Sequence, residues 1–322
     1  MRAAIPASAR TEVARLLALA RSPWVTRVLL LLAAALAIWV LVSQRDQALA
    51  AIRRVQPAGL LVAALAGAGT VSCSALIWRT ALADLGDRLP LTSAAEIFLL
   101  GQLGKYLPGS VWPMVMQAEL GSRYRVSRRR TLAASVVTLL VSLISGLLLI
   151  VLTLPFLPDV AGGLRWVGLL ALPLAALLLP GVLGRALDVG LRAIRREPLG
   201  ARTTVTGMLL ATTWALVGWC CSCVQLMALS VPLGLPLNTR SVALVLGGYP
   251  LAWVVGLAVV IAPAGAGARE TALVAVLAGS LPTAAALVVA LLSRLLFAAA
   301  DLALAGAAVL AARRAGVRQP EA

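Results

Sequence analysis

Two basic residues stand beside breaks in otherwise apolar runs. Lys105 lies in Gly104-Lys105-Tyr106-Leu107-Pro108-Gly109-Ser110-Val111-Trp112-Pro113, and Arg269 in Pro263-Ala264-Gly265-Ala266-Gly267-Ala268-Arg269-Glu270. Both stretches share one order: an apolar helix, a Pro-Gly type of break, a new helix start and a cation near the break. A helix start offers free N–H groups and the positive end of its dipole, and a nearby cation completes an anion site. Small residues let a headgroup approach the backbone. Corresponding broken helices in two halves of a membrane chain are the sequence pointer to a transporter-type site. The competing reading is a pair of packing kinks, because Gly and Pro are common in membrane helices. An intramembrane Lys or Arg costs about 2.5–3.5 kcal/mol on insertion scales, and that expense favours a site.

Neighbouring residues fill in the picture. Ser93-Ala94-Ala95-Glu96 fits a capping box, with Ser93 as N-cap and Glu96 at the third helical position. The helix it would start, to Gly104, is about 18 Å long, half a bilayer. Pro108 and Gly109 then force a turn, Ser110 can cap a second short helix, and Trp112 can anchor at an interface. Glu270 points about 100° away from Arg269 on a helix, so it is expected to pair with another element. Arg294 and Asp301 are seven residues apart on one face of the last helix. Their axial gap of about 10.5 Å predicts that each meets a partner elsewhere. The cluster Arg123, Arg125, Arg128, Arg129 and Arg130 reads as a cytoplasmic stop signal.

These residues must be positioned by membrane helices. The 322 residues are 61% hydrophobic and 12% charged, against about 25% charged in soluble domains. A soluble domain and a disordered chain are both excluded. Alternating segments of about ten residues, as in a β-barrel, are not found. The net charge of +16 rests on 28 basic against 12 acidic residues. It reads as positive-inside loops, with no nucleic-acid partner. His is absent, which removes the usual general base and the commonest metal ligand. Cys73, Cys220, Cys221 and Cys223 lie in apolar runs and are expected to pack as small hydrophobes.

The expected fold is an all-α polytopic membrane protein with about eight transmembrane helices plus re-entrant or broken elements, compatible with an inverted repeat. The spans are 28–42, 57–80, 131–154, 164–183, 203–229, 240–262 and 283–312, with 93–120 re-entering and 264–281 crossing; the weaker alternative makes 262–281 re-entrant too. Segment 1–27 is a basic cytoplasmic segment, 28–312 one membrane domain, and 313–322 a cytoplasmic tail. The inner segments 1–27, 79–130, 184–202 and 313–322 then hold 21 basic residues and the outer loops five. That imbalance places both termini in the cytoplasm of a multi-pass cell-membrane protein.

The pattern Gly101-x-x-Gly-Lys-Tyr-Leu-Pro-Gly-Ser-Val-Trp112, with the basic turn and Ala133-Ala134-Ser135, resembles the flippase-like membrane domain family. That domain is also the membrane region of lysylphosphatidylglycerol synthases. Pro263-x-Gly-x-Gly-x-Arg-Glu270 resembles the family's second signature. The resemblance covers about residues 25–312. Two departures stand out: Ala264-Gly265-Ala266-Gly267 replaces Gly-Gly-Leu-Gly, and no acidic residue lies between Glu119 and Asp159. The 322 residues hold no soluble aminoacyl-transferase domain, so synthase activity is not expected.

The resemblance implies handling of a phospholipid or lipid-linked glycan within the bilayer, with Lys105, Pro108, Gly109, Gly265, Gly267, Arg269 and Glu270 lining the site. Tyr106, Ser110, Trp112, Pro263, Arg294 and Asp301 complete the candidate binding set. The expected function is to bind an anionic headgroup in an interior cavity and assist its movement between leaflets. No enzyme activity, cofactor or metal is expected, and no G-x-x-x-x-G-K-[ST] motif for ATP occurs. The alternatives are a non-transporting membrane partner of a glycosyltransferase or envelope-assembly complex and, disfavoured by the scattered acids, a membrane enzyme acting on lipid phosphates.

Overall fold

A computed structural model of the chain describes residues 53–106, 111–156, 174, 176, 179, 181–185, 189, 203–259, 265 and 267–314. The expected spans 28–42 and, for the most part, 164–183 lie outside these residues, as do segments 1–27 and 315–322 and most of 184–202. Among the described residues eight helices of ten or more residues follow one another: α1 Pro57–Asp84, α2 Leu91–Gln102, α3 Trp112–Arg123, α4 Arg128–Thr153, α5 Val205–Ser230, α6 Thr239–Ala258, α7 Ala268–Leu277 and α8 Thr283–Arg314. Among the described residues five of them, α1, α4, α5, α6 and α8, are long and apolar enough to cross a membrane. They match the expected spans at 57–80, 131–154, 203–229, 240–262 and 283–312. The chain is an all-helical, multi-pass membrane protein.

Local chemistry sets the helix starts. Pro57 occupies the first turn of α1, where its missing N–H costs nothing. Ser127 Oγ accepts from the Arg130 N–H at 3.3 Å, Thr204 Oγ1 from the Gly207 N–H at 3.0 Å, and Asn238 Oδ1 from the Ser241 N–H at 2.8 Å. Asp84 ties the end of α1 to the start of α5. Its carboxylate accepts from the Thr204 backbone N–H at 2.7 Å and from the Thr204 hydroxyl at 2.6 Å. Between these helices the backbones approach closely at Gly69 and Gly218, which face Cys221 and Cys73. The cysteines are unbonded to one another. Trp78, Leu82, Ile97, Ile144 and Leu226 are fully buried in the bundle core, while Leu61, Leu65, Leu209, Leu295 and Leu302 face outward.

Two antiparallel hairpins interrupt this bundle. In the first, α2 runs through a 3-10 turn, Leu103–Tyr106, and α3 returns beside it, with Gly101 against Gln117 and Gly104 against Trp112. In the second, α7 returns beside the latter half of α6, with Gly256 against Arg269 and Gly248 against Val276. The hairpins enter from opposite ends of α4. Gly121 of α3 meets Thr131 at the start of α4, and Gly247 of α6 meets Thr153 at its end.

Three expectations are corrected. The capping box is not formed: α2 begins at Leu91 with Pro90 as N-cap and no side-chain cap. Ser93 and Glu96 are instead 2% and 6% exposed inside the bundle. Glu96 accepts a hydrogen bond from the Tyr124 hydroxyl, because the turn after α3 brings that phenol over the α2 face. The start of α3 is likewise uncapped by a side chain, with Val111 at its N-cap; Ser110 itself lies outside the described residues. Finally, α7 has ten residues, about 15 Å and half a bilayer. It does not cross alone, and Ala268–Leu277 is the returning arm of a hairpin with α6. A hairpin leaves the chain on the side it entered, as two crossings would.

Candidate functional site

The two hairpin tips meet one stripe of α8. Arg294, Phe297 and Asp301 follow at intervals of three and four residues, so they share a face. Asp301 lies in the middle of that 32-residue helix and is 1% exposed. Its Oδ2 accepts from Lys105 Nζ at 2.6 Å and from the Tyr106 hydroxyl at 2.6 Å. Both partners sit in the 3-10 turn at the tip of the first hairpin. Among the described residues Asp301 Oδ1 has no hydrogen-bond partner. An ion pair in such surroundings persists where its geometry is good and its polar atoms are served.

The second tip supplies Arg269 and Glu270. Gly265 and Gly267 hold φ of +68° and +86°, the left-handed region that glycine enters without steric penalty. Gly265 also packs on the Gly256 backbone so closely that a Cβ would lie 2.8 Å from it. Glu270 Oε2 accepts from the Gly267 N–H at 2.6 Å, capping α7. Its Oε1 meets Arg294 Nη1 at 3.0 Å. Arg294 and Asp301 therefore pair with separate elements, as their spacing predicts, and Glu270 pairs across to another helix.

Arg269 is held differently. Its guanidinium lies 4.7 Å from the Tyr249 ring centroid and 5.4 Å from that of Phe297. These two rings stack at 5.9 Å and 21°. Arg269 also donates to the Tyr249 hydroxyl. Among the described residues its hydrogen-bond and cation–π partners are these two aromatic side chains; no carboxylate salt bridge joins them.

A cavity of about 370 Å³ opens between the hairpins, α1, α4, α5 and α8. Lys105, Tyr106, Gly265, Arg269 and Arg294 all line it. The structure thus brings the two break-associated cations and the α8 arginine to one wall. Glu270 and Asp301 stand behind as counter-ions and are not part of the lining, nor are Gly267 and Trp112; Trp112 is 42% exposed at the start of α3. Pro108, Gly109, Ser110 and Pro263 lie outside the described residues. Three cations against two carboxylates leave a net positive wall in a confined space, an arrangement that attracts an anion.

Sequence reasoning missed Phe297 and the polar residues of α3 and α4 that line the cavity, Gln117, Ser135, Thr138 and Ser142. A signal was present: 135, 138 and 142 fall on one helical face. At the far end of α3, Tyr124 is pushed well above its ordinary phenol range by burial and then by the Glu96 hydrogen bond. Among the described residues no group of three His, Cys, Asp or Glu could hold a metal.

Residues 24–305 match the family described as the lysylphosphatidylglycerol synthase TM region. The chain belongs to that family. No curated protein matches it.

Proposed function

We propose that this member of the lysylphosphatidylglycerol synthase TM-region family binds the anionic headgroup of a membrane lipid between its two hairpin tips and assists its passage between leaflets. The observation that supports this reading is the convergence of Lys105, Arg269 and Arg294 on one cavity. The hairpins enter from opposite ends of α4, so a headgroup at their tips would sit midway between the two membrane faces. Each cation would give the phosphate a charge-assisted hydrogen bond, stronger than a neutral one. Lys105 and Arg294 keep counter-ions, which lets the unliganded site exist at tolerable cost. Arg269 supplies the surplus charge.

The ligand class is a phospholipid or a lipid-linked glycan, and the site is in the cell membrane with both termini cytoplasmic. No step of bond making is assigned: the role is binding and passage. A non-transporting partner role for a glycosyltransferase or assembly complex is the second reading, favoured by the exposed apolar surface that a bundle of this kind offers to other helices. The deciding experiment reconstitutes the purified full chain in liposomes holding a fluorescent anionic phospholipid and follows leaflet exchange by quenching from outside. Faster exchange than in protein-free liposomes, lost in Arg269→Gln, supports the proposal. Exchange at the protein-free rate, with the lipid still bound, favours the partner reading.

A further inference from the structure

Away from its cationic wall the cavity changes character. Ser74 of α1, Gln102 of α2, Gln117 of α3 and Ser135, Thr138 and Ser142 of α4 line it, and no Asp or Glu is among its described lining residues. The two carboxylates nearby are already taken by Lys105 and Arg294. Helix α4 carries no acidic residue at all. We infer that the site is built for a phosphodiester bearing a neutral polyhydroxyl headgroup, a glycerol or a sugar, and against an aminoacylated, cationic one. This rests on the anionic-lipid reading above and adds the headgroup to it.

The hydrogen-bond inventory fits a polyol. Ser74 Oγ donates to the Thr70 carbonyl at 3.1 Å and Thr138 Oγ1 to the Ala134 carbonyl at 2.8 Å. Each hydroxyl has therefore spent its proton on its own helix and presents lone pairs, which accept from ligand hydroxyls. Ser135 Oγ accepts from Trp78 Nε1 at 3.1 Å, and its one proton lies between Gln117 Oε1 at 2.6 Å and the Thr131 carbonyl at 2.9 Å. The Gln117 amide, which also lines the cavity, has both donor and acceptor atoms. A headgroup hydroxyl both donates and accepts, so it matches this mixed lining. Trp219 and Trp253, edge to face at 5.7 Å, add flat apolar walls suited to the C–H faces of a sugar or glycerol.

An ammonium group is poorly served. No carboxylate among the described lining residues is there to pair it, and the Tyr249 and Phe297 rings already hold Arg269. It would also share the cavity with three like charges, and juxtaposing like charges is how a site rejects a wrong partner.

The test uses the full chain in phosphatidylcholine nanodiscs and four added probes: phosphatidylglycerol, phosphatidylinositol, phosphatidylmethanol and lysylphosphatidylglycerol. Binding is read by native mass spectrometry. Phosphatidylglycerol and phosphatidylinositol should bind about tenfold tighter than the other two, equivalent to one or two net hydrogen bonds. Ser142→Asp should raise the affinity for lysylphosphatidylglycerol. Equal or tighter wild-type binding of lysylphosphatidylglycerol would overturn the inference and leave the anionic site standing. So would phosphatidylmethanol binding as well as the polyols, since it carries the phosphodiester without hydroxyls. If none of the four exceeds phosphatidylcholine, the anionic-lipid reading itself falls. The wild-type comparison decides even if the variant fails to fold.

Discussion

Tyr106 and Asp301, 195 positions apart, share a hydrogen bond of 2.6 Å in the middle of the bundle. Lys105 meets the same carboxylate oxygen, so one buried acid on α8 fixes the tip of the first hairpin twice. Asp301→Asn should therefore loosen that tip. Breaking a fully buried pair costs about 3–5 kcal/mol. The Lys105 side chain is 25% exposed, so a smaller loss is expected, with a clear drop in the thermal midpoint in detergent. Lys105→Met combined with Asp301→Leu should recover much of it, because no charge is then left unpaired.

Arg269 and Lys105 face one cavity, and their removal should weaken one and the same binding event. Arg269→Gln and Lys105→Gln should each reduce affinity for an anionic phospholipid by about ten- to a hundredfold, the worth of a charge-assisted hydrogen bond. The double variant should lose less than the sum, because both side chains would contact one ligand. Arg269→Lys keeps the charge and loses the guanidinium's contacts with the Tyr249 and Phe297 rings, so intermediate affinity is expected. Titration by native mass spectrometry measures all four. Full additivity would place the two cations on separate ligands.

Glu96 is buried beneath Tyr124, and this pair sits away from the cavity lining. Tyr124→Phe removes the donor from a buried carboxylate and should cost about 1–3 kcal/mol of stability. Glu96→Gln keeps an acceptor for the phenol and should cost less. Neither should change lipid affinity in the folded protein. Thermal unfolding and lipid titration on the same samples separate the two effects.

The breaks themselves were legible in the sequence because Pro and Gly are local signals. The half-bilayer length of α2 and the separate partners of Arg294 and Asp301 follow from residue spacing alone. What stayed hidden needed the tertiary arrangement. Ser93 and Glu96 satisfy the two fixed positions of the capping-box pattern, yet the helix begins three residues earlier, at Leu91 after Pro90, and no local rule reveals that Tyr124 will cover Glu96. The cluster of Tyr249, Phe297 and Arg269 joins three helices, and an aromatic in an apolar run reads as packing until its neighbour is known to be a cation. The reach of α7 stayed open because the hydropathy of 264–281 suits a span as well as a re-entrant arm. Only the antiparallel contacts with α6 reveal a returning arm.

Gly265 tests whether the second tip must be this tight. A Cβ there would lie 2.8 Å from the Gly256 backbone, and its φ of +68° already disfavours any other residue. Gly265→Ala should push the tip off α6, costing about 1–2 kcal/mol for the left-handed backbone before any clash is counted. Arg269 would move with it, so lipid affinity should fall together with stability. Gly279→Ala is the control, because nothing lies within 4 Å of a Cβ at that position. It should leave both quantities unchanged.

The opposed hairpins make a sharp prediction about sidedness. With the basic segments inside, the base of the first hairpin at Arg88 faces the cytoplasm. The base of the second at Ser280, and the α5–α6 turn at Leu237, face outward. All three residues are exposed, so a cysteine at any of them can react. In a background lacking the four native cysteines, Leu237→Cys and Ser280→Cys should react with a membrane-impermeant maleimide in intact cells. Arg88→Cys and Arg195→Cys should react only after the membrane is opened. Ser280→Cys alone does not separate a returning arm from a full crossing. External labelling fits a hairpin that enters and leaves on the outer side, and also fits two full crossings. Slow labelling at Gly256→Cys in intact cells then distinguishes them. A full crossing would put residue 256 near the inner face, sealed from an external reagent, whereas a hairpin tip beside the cavity is reached from outside once that cavity opens outward. Strong external labelling at Arg88 or Arg195 would invert the orientation and with it the assignment of which hairpin receives the headgroup first.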